Sequence, residues 1–200
     1  MITSMCNSYE HTIVITNRHL VQGDFLKQLE KVTKLHPHAL ILREKDLTDD
    51  AYESLAKKVF DLCEREDITF FLHTKIEIAR KIGCQNIHLS IPVLKGLSET
   101  EKKALTEDFC EISISCHSME DVEMAGGATQ IILGTIFETE CKKGVLGKGV
   151  EFVREICQKC PLPVYAIGGM NLQRLHLVID AGAAGCCMMS GFMQTTKTLQ

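Results

Sequence analysis

Three things this sequence lacks narrow what it can be. No apolar run approaches the ~20 residues needed to cross a bilayer, so no membrane span is expected. No basic cluster stands out: 22 basic against 26 acidic residues leave a formal net charge of −4, and a nucleic-acid partner is not expected. The first residues, MITSMCNSYEH, carry no apolar segment of the kind a secretory signal has. The ten cysteines are therefore expected to be reduced thiols of a cytoplasmic protein. Cys157 and Cys160 are spaced C-x-x-C but have no second pair at zinc spacing. They close a helical pattern just before Pro161, so structural thiols are expected there, with no metal and no cofactor. No linker, low-complexity stretch or compositional break divides the 200 residues, of which 45% are hydrophobic, and one domain with a full core is expected.

What is present is a regular alternation. Short apolar runs at 12–15, 39–42, 69–72, 86–89, 111–115, 130–133, 164–167 and 185–189 read as strands. Most look apolar on both faces, as parallel strands under helices should. Between them lie helical stripes such as Phe25, Leu29, Val32, Leu35 and Leu55, Val59, Leu62. Ser98 with Glu101 forms a capping box, Ser118 with Asp121 resembles one, and Pro161 stops the helix begun near Val150. Eight units of about 25 residues fit a single (β/α)8 TIM barrel, with a doubly wound open sheet as the rival.

The stretch 163–171, PVYAIGGMN, is the organising one. A short strand breaks at Gly168-Gly169, and Asn171 is a good N-cap for the helix that follows. Without Cβ atoms, the two glycines let an anion reach the backbone at a helix N-terminus. A plain tight turn is the other reading of these residues. A second small turn, Ser190-Gly191, ends the next strand, and the pair resembles the phosphate grip of the last two loops of a barrel.

Chemistry in such a barrel sits at the C-terminal strand ends. Arg43 and Lys45, two apart, project to the same side and suit a phosphorylated or carboxylated substrate; an ion pair with Glu44 or another acid is the alternative. His73 ends strand three, either as a general acid or base or as a hydrogen-bonded structural histidine. Cys116 and His117 are sequence neighbours, which does not make them a catalytic pair, and Ser118 reads as a helix cap. The segment from Gly134 to Gly144 carries hydroxyls, Cys141, Lys142 and Lys143, and reads as an active-site loop rather than a solvated one.

Arg43-Glu44-Lys45, Gly134-x-Ile136-Phe137-x-Thr139-x-Cys141-Lys142, Ala166-Ile167-Gly168-Gly169-Met170 and Met189-Ser190-Gly191 together resemble the thiamine phosphate synthase/thiazole tautomerase (TenI) superfamily. The resemblance spans essentially the whole chain. The stretch from Phe137 to Gly144 is especially similar to the tautomerase branch. It implies a small-molecule thiazole phosphate as ligand, substrate contacts at Arg43, Lys45, Ser115, Thr139, Cys141 and Lys142, and phosphate contacts at Gly168, Gly169, Ser190 and Gly191. The synthase branch holds magnesium on acids at the ends of strands three and four. Here those positions read Thr74 and about Val93, with His73 in place of the Asn before the first acid and Ile41 in place of a Gln. The tautomerase branch places its catalytic histidine where this chain has Thr135, a poor base near neutral pH, so proton transfer is expected to fall to His73. Three readings follow: a metal-independent thiazole tautomerase-type activity, a thiamine phosphate synthase with an altered metal site, or a non-catalytic phosphate-ligand binder. Monomer or homo-oligomer is left open.

Overall fold

The computed structural model describes residues 8–139 and 144–194. Within them, eight parallel strands pair in chain order and close, β8 returning to β1. They are β1 Thr12–Ile15, β2 Ala39–Leu42, β3 Thr69–His73, β4 Asn86–Ser90, β5 Glu111–Cys116, β6 Gln130–Gly134, β7 Val164–Ile167 and β8 Gly185–Met188. The helices are α1 Phe25–Thr33, α2 Asp49–Arg65, α3 Ile76–Ile82, α4 Ile91–Gly96, α5 Glu99–Asp108, α6 Met119–Met124, α7 Gly149–Lys159, α8 Leu172–Ile179 and α9 Ser190–Met193. This is the expected TIM barrel, closed rather than doubly wound.

Helix starts are chemically specified. Asp24, Thr48, Ser118 and Asn171 each accept a backbone N–H from the first turn of α1, α2, α6 and α8. Ser98 and Glu101 form the reciprocal capping box of α5. Each satisfies an otherwise orphaned donor. In α2, Tyr52, Ala56, Val59 and Leu62 lie on the buried stripe that helical spacing requires.

Alternation along the strands divides the core in two. Outward residues such as Ile87, Leu89, Ile112, Ile114 and Leu133 pack with the helices in one large cluster. Inward residues Ile13, Ile15, Ile41, Phe71, Ile132, Tyr165 and Cys187 fill the barrel. The inner faces of β4 and β5 differ from expectation. They carry His88, Ser90, Ser113 and Ser115, so the interior is apolar on one side and polar on the other. A one-residue slip would exchange these with Ile87, Leu89, Ile112 and Ile114, so the register is set by burial.

Strands β3 to β6 also run one residue further than their apolar runs suggest. The ladder continues through His73↔His88, Ser90↔Ser115, Cys116↔Leu133 and Gly134↔Ile167. Pairing needs only backbone groups, so it outlasts the apolar side chains that advertise it. β8 stops one residue earlier, at Met188, because Met189 already precedes the turn of α9. No disulfide forms among the described cysteines, and Cys157 and Cys160 sit with free thiols on the barrel's outside. No helix among the described residues is long and apolar enough to cross a membrane.

Candidate active site

The C-terminal ends of the strands open into a cavity of about 250 Å³. Arg43, Lys45, His73, Ser115, Thr135, Thr139, Gly168, Gly169 and Ser190, all named from the sequence, line it together. Gly191 stands one residue behind Ser190, in the first turn of α9, and does not line it. Cys141 and Lys142 lie outside the described residues.

β2 supplies the basic wall. Arg43 and Lys45 face the cavity, and Glu44 between them points away and is buried. Its carboxylate accepts from the Thr16 hydroxyl at 2.7 Å, the Arg18 N–H at 3.0 Å and the Arg18 guanidinium at 3.1 Å. Arg18 also pairs with Asp46, and His19 with the same carboxylate. Glu44 is thus occupied by Arg18, a partner the sequence did not reveal. Asp46 is held well below the usual carboxylate range by its bonds to Arg18 and His19.

The polar half of the interior supplies three histidines. His73 and His88, opposite each other in the β3–β4 ladder, stack with centroids 5.4 Å apart. Both ring nitrogens of His88 are bonded, Nδ1 to the Ser113 hydroxyl and Nε2 to the Ser115 hydroxyl, each at 2.9 Å. Burial pushes its pKa down to about 3, with Arg43 adding to the effect. His73 is pushed to about 2, chiefly by burial and then by His88, Arg43 and Lys45. Its Nδ1 is buried with no hydrogen-bond partner. Tyr52 of α2 sets the level of these strand ends, its hydroxyl donating to Leu42 O at 2.6 Å and accepting from His73 N at 3.2 Å. The third histidine, His117, follows β5, is exposed and reaches the same cavity. Its Nδ1 lies 2.6 Å from Gly134 O.

β6 and β7 build the opposite wall. Ile136 N and Phe137 N donate to Ile167 O and Gly168 O at 2.9 and 3.0 Å, while Lys148 N and Gly149 N return to Thr135 O and Ile136 O. The loop after β6 is therefore stitched to the glycine turn at its root. Gly168 (φ 105°) and Gly169 (φ 59°) both occupy left-handed backbone. Added Cβ atoms there would meet Thr135 Cγ2 at 2.4 Å and Glu138 O at 2.5 Å. Arg174, from the first turn of α8, donates to Gly169 O at 2.6 Å and lies over the Phe137 ring at 4.6 Å.

A sequence model described as thiamine monophosphate synthase matches residues 12–192, the whole barrel. The chain belongs to the thiamine monophosphate synthase family. It is 29% identical over 182 residues to the putative thiamine-phosphate synthase 2 of Aquifex aeolicus, covering 90% of this chain and 96% of that protein. It is 30% identical over 180 residues to the thiamine-phosphate synthase of Coprothermobacter proteolyticus, covering 88% and 84%. Among solved structures, the thiamine phosphate pyrophosphorylase from Pyrococcus furiosus superposes with a TM-score of 0.80 at 22% identity, over 95% of this chain and 90% of that one, a likeness of fold.

Magnesium, which the resemblance implies for the synthase branch, does not fit the residues present. The Thr74 hydroxyl donates to His73 O at 2.7 Å, and Val93 packs in α4 against the outer core. No carboxylate is found among the described residues lining the cavity. A hard dication needs oxygen ligands, and these positions supply one spoken-for hydroxyl and a hydrocarbon. What the cavity does present is a cationic wall, a polar floor and a glycine turn facing them. His88 and Ser90 were missed by reading for charged strand ends. Their signal was the alternation His88-Leu89-Ser90 beside Ser113-Ile114-Ser115, polar on one face of adjacent strands.

Proposed function

We propose that this chain binds a thiazole phosphate and moves a proton on it without a metal, a tautomerase-type isomerisation. The observation that carries the reading is the charge of the cavity: Arg43 and Lys45 line it, and no acid does among the described residues. Such a wall attracts a doubly anionic ligand and offers a dication nothing. The phosphate is assigned to the turns at Gly168-Gly169 and Ser190, which line the same cavity as Arg43 and Lys45. The ring is assigned to the space between Thr135 and the histidines, and a ring carboxylate to the Arg43 side.

The relatives' names favour a second reading, a synthase that joins the thiazole phosphate to hydroxymethylpyrimidine diphosphate. The comparisons speak for this reading more than for isomerisation. The resemblance at Arg43, Lys45, Ser115 and Thr139 is to the synthase branch. One experiment separates the two readings. The protein is mixed with a non-aromatic carboxythiazole phosphate, with and without chelator, and aromatisation is followed by ultraviolet absorbance. In parallel it is mixed with thiazole phosphate, hydroxymethylpyrimidine diphosphate and magnesium, and thiamine phosphate is measured. Aromatisation indifferent to chelator is expected. Thiamine phosphate formed only with magnesium, and no aromatisation, would establish the synthase instead.

A further inference from the structure

We infer that His117 is the catalytic residue that carries the proton in this cavity, in place of the His73 suggested by the sequence; the inference rests on the isomerisation proposed above. Three observations assign it. First, its tautomer is set: a carbonyl oxygen only accepts, so Nδ1 holds the hydrogen in the 2.6 Å contact to Gly134 O, and Nε2 carries the lone pair. Second, the ring is held where the proton must move. Gly134 immediately precedes Thr135, so a side chain on β5's end reaches the place at the end of β6 that Thr135 cannot serve as a base. Its backbone is anchored on both sides, with Asp121 accepting from His117 N at 2.7 Å and the Lys148 ammonium donating to His117 O. Third, the other imidazoles are committed elsewhere. His88 has both nitrogens tied to serines, and His73 is buried where an imidazolium is disfavoured.

The step balances within one residue. Nε2 takes the proton from the saturated ring carbon, and the C–H bond's electron pair enters the ring, completing the aromatic system. The carbon at the far end of the conjugated system then takes a proton from the imidazolium Nε2, and His117 returns to its starting tautomer. No redox partner is required.

The test uses His117→Asn, whose side-chain amide sits where Nδ1–H sits and keeps the donor to Gly134 O but has no ring base. kcat for aromatisation is expected to fall about 10²–10³-fold, with KM and the affinity for the aromatic product within about threefold of wild type. His117→Ala should be slow as well and regain rate with added imidazole. A purely structural histidine would show neither that split between kcat and KM nor that rescue. His117→Asn turning over within threefold of wild type overturns the inference alone. Product affinity retained in a wild-type protein that never aromatises the substrate overturns the isomerisation, and the inference with it.

Discussion

Gly168→Ala is a perturbation whose cost can be worked from the geometry. The residue sits at φ 105°, outside the basins open to L side chains. That conformation costs an alanine about 1–2 kcal/mol. The new Cβ would also stand 2.4 Å from Thr135 Cγ2 and 3.0 Å from both Ile136 N and Thr135 Cα. The last two are backbone atoms of a strand end already bonded to Ile167 O, so they cannot swing aside. Such overpacking costs about 1–3 kcal/mol. A total near 3 kcal/mol lowers Tm by roughly 6–12 °C in a domain of this size. The assay is thermal unfolding by circular dichroism beside Gly191→Ala, an internal control. Gly191 lies in a helical turn, and among the described residues its added Cβ would approach only Met188, at 3.8 Å. It should melt within about 2 °C of wild type. Gly168→Ala melting that close to wild type would refute the steric argument.

Three more expectations follow. Stability should fall as pH drops from 7.5 to 5: His88 and His73 titrate near 3 and 2 when folded but near 6.5 when unfolded, so the unfolded chain binds more protons below pH 6.5. The loss is about 2 kcal/mol per histidine at pH 5 and saturates near the folded values, and His88→Gln should flatten the dependence of urea midpoints on pH. Arg43→Ala should weaken thiazole phosphate binding about 10–100-fold by calorimetry, the worth of a charge-assisted bond, with Tm nearly unchanged. Glu44→Gln should cost about 1–3 kcal/mol by denaturant unfolding, because an amide NH₂ would then face donors from Thr16 and Arg18.

By itself the sequence determined the barrel, the order of its strands, the helix caps at Ser98, Ser118 and Asn171 and nine of the residues that line the cavity. These are local properties. Apolar runs of strand length, Asn171 and Ser98 at N-caps, and the glycines at 168–169 each act through neighbours a few residues away, so they can be read in a line. What only the tertiary structure decided is the set of pairings between residues far apart in the chain. Glu44 stands between Arg43 and Lys45, yet its partners are Thr16 and Arg18, because neighbouring side chains alternate and Glu44 faces away from the cavity. His73, chosen from the sequence as proton carrier, proves to be buried by His88 and the barrel wall. His117, whose adjacency to Cys116 meant nothing, is the proposed carrier because strand pairing brings Gly134 O against its ring. A histidine's task depends on its solvent and on what its other nitrogen bonds, and both are fixed by the chain closing on itself rather than by sequence neighbours.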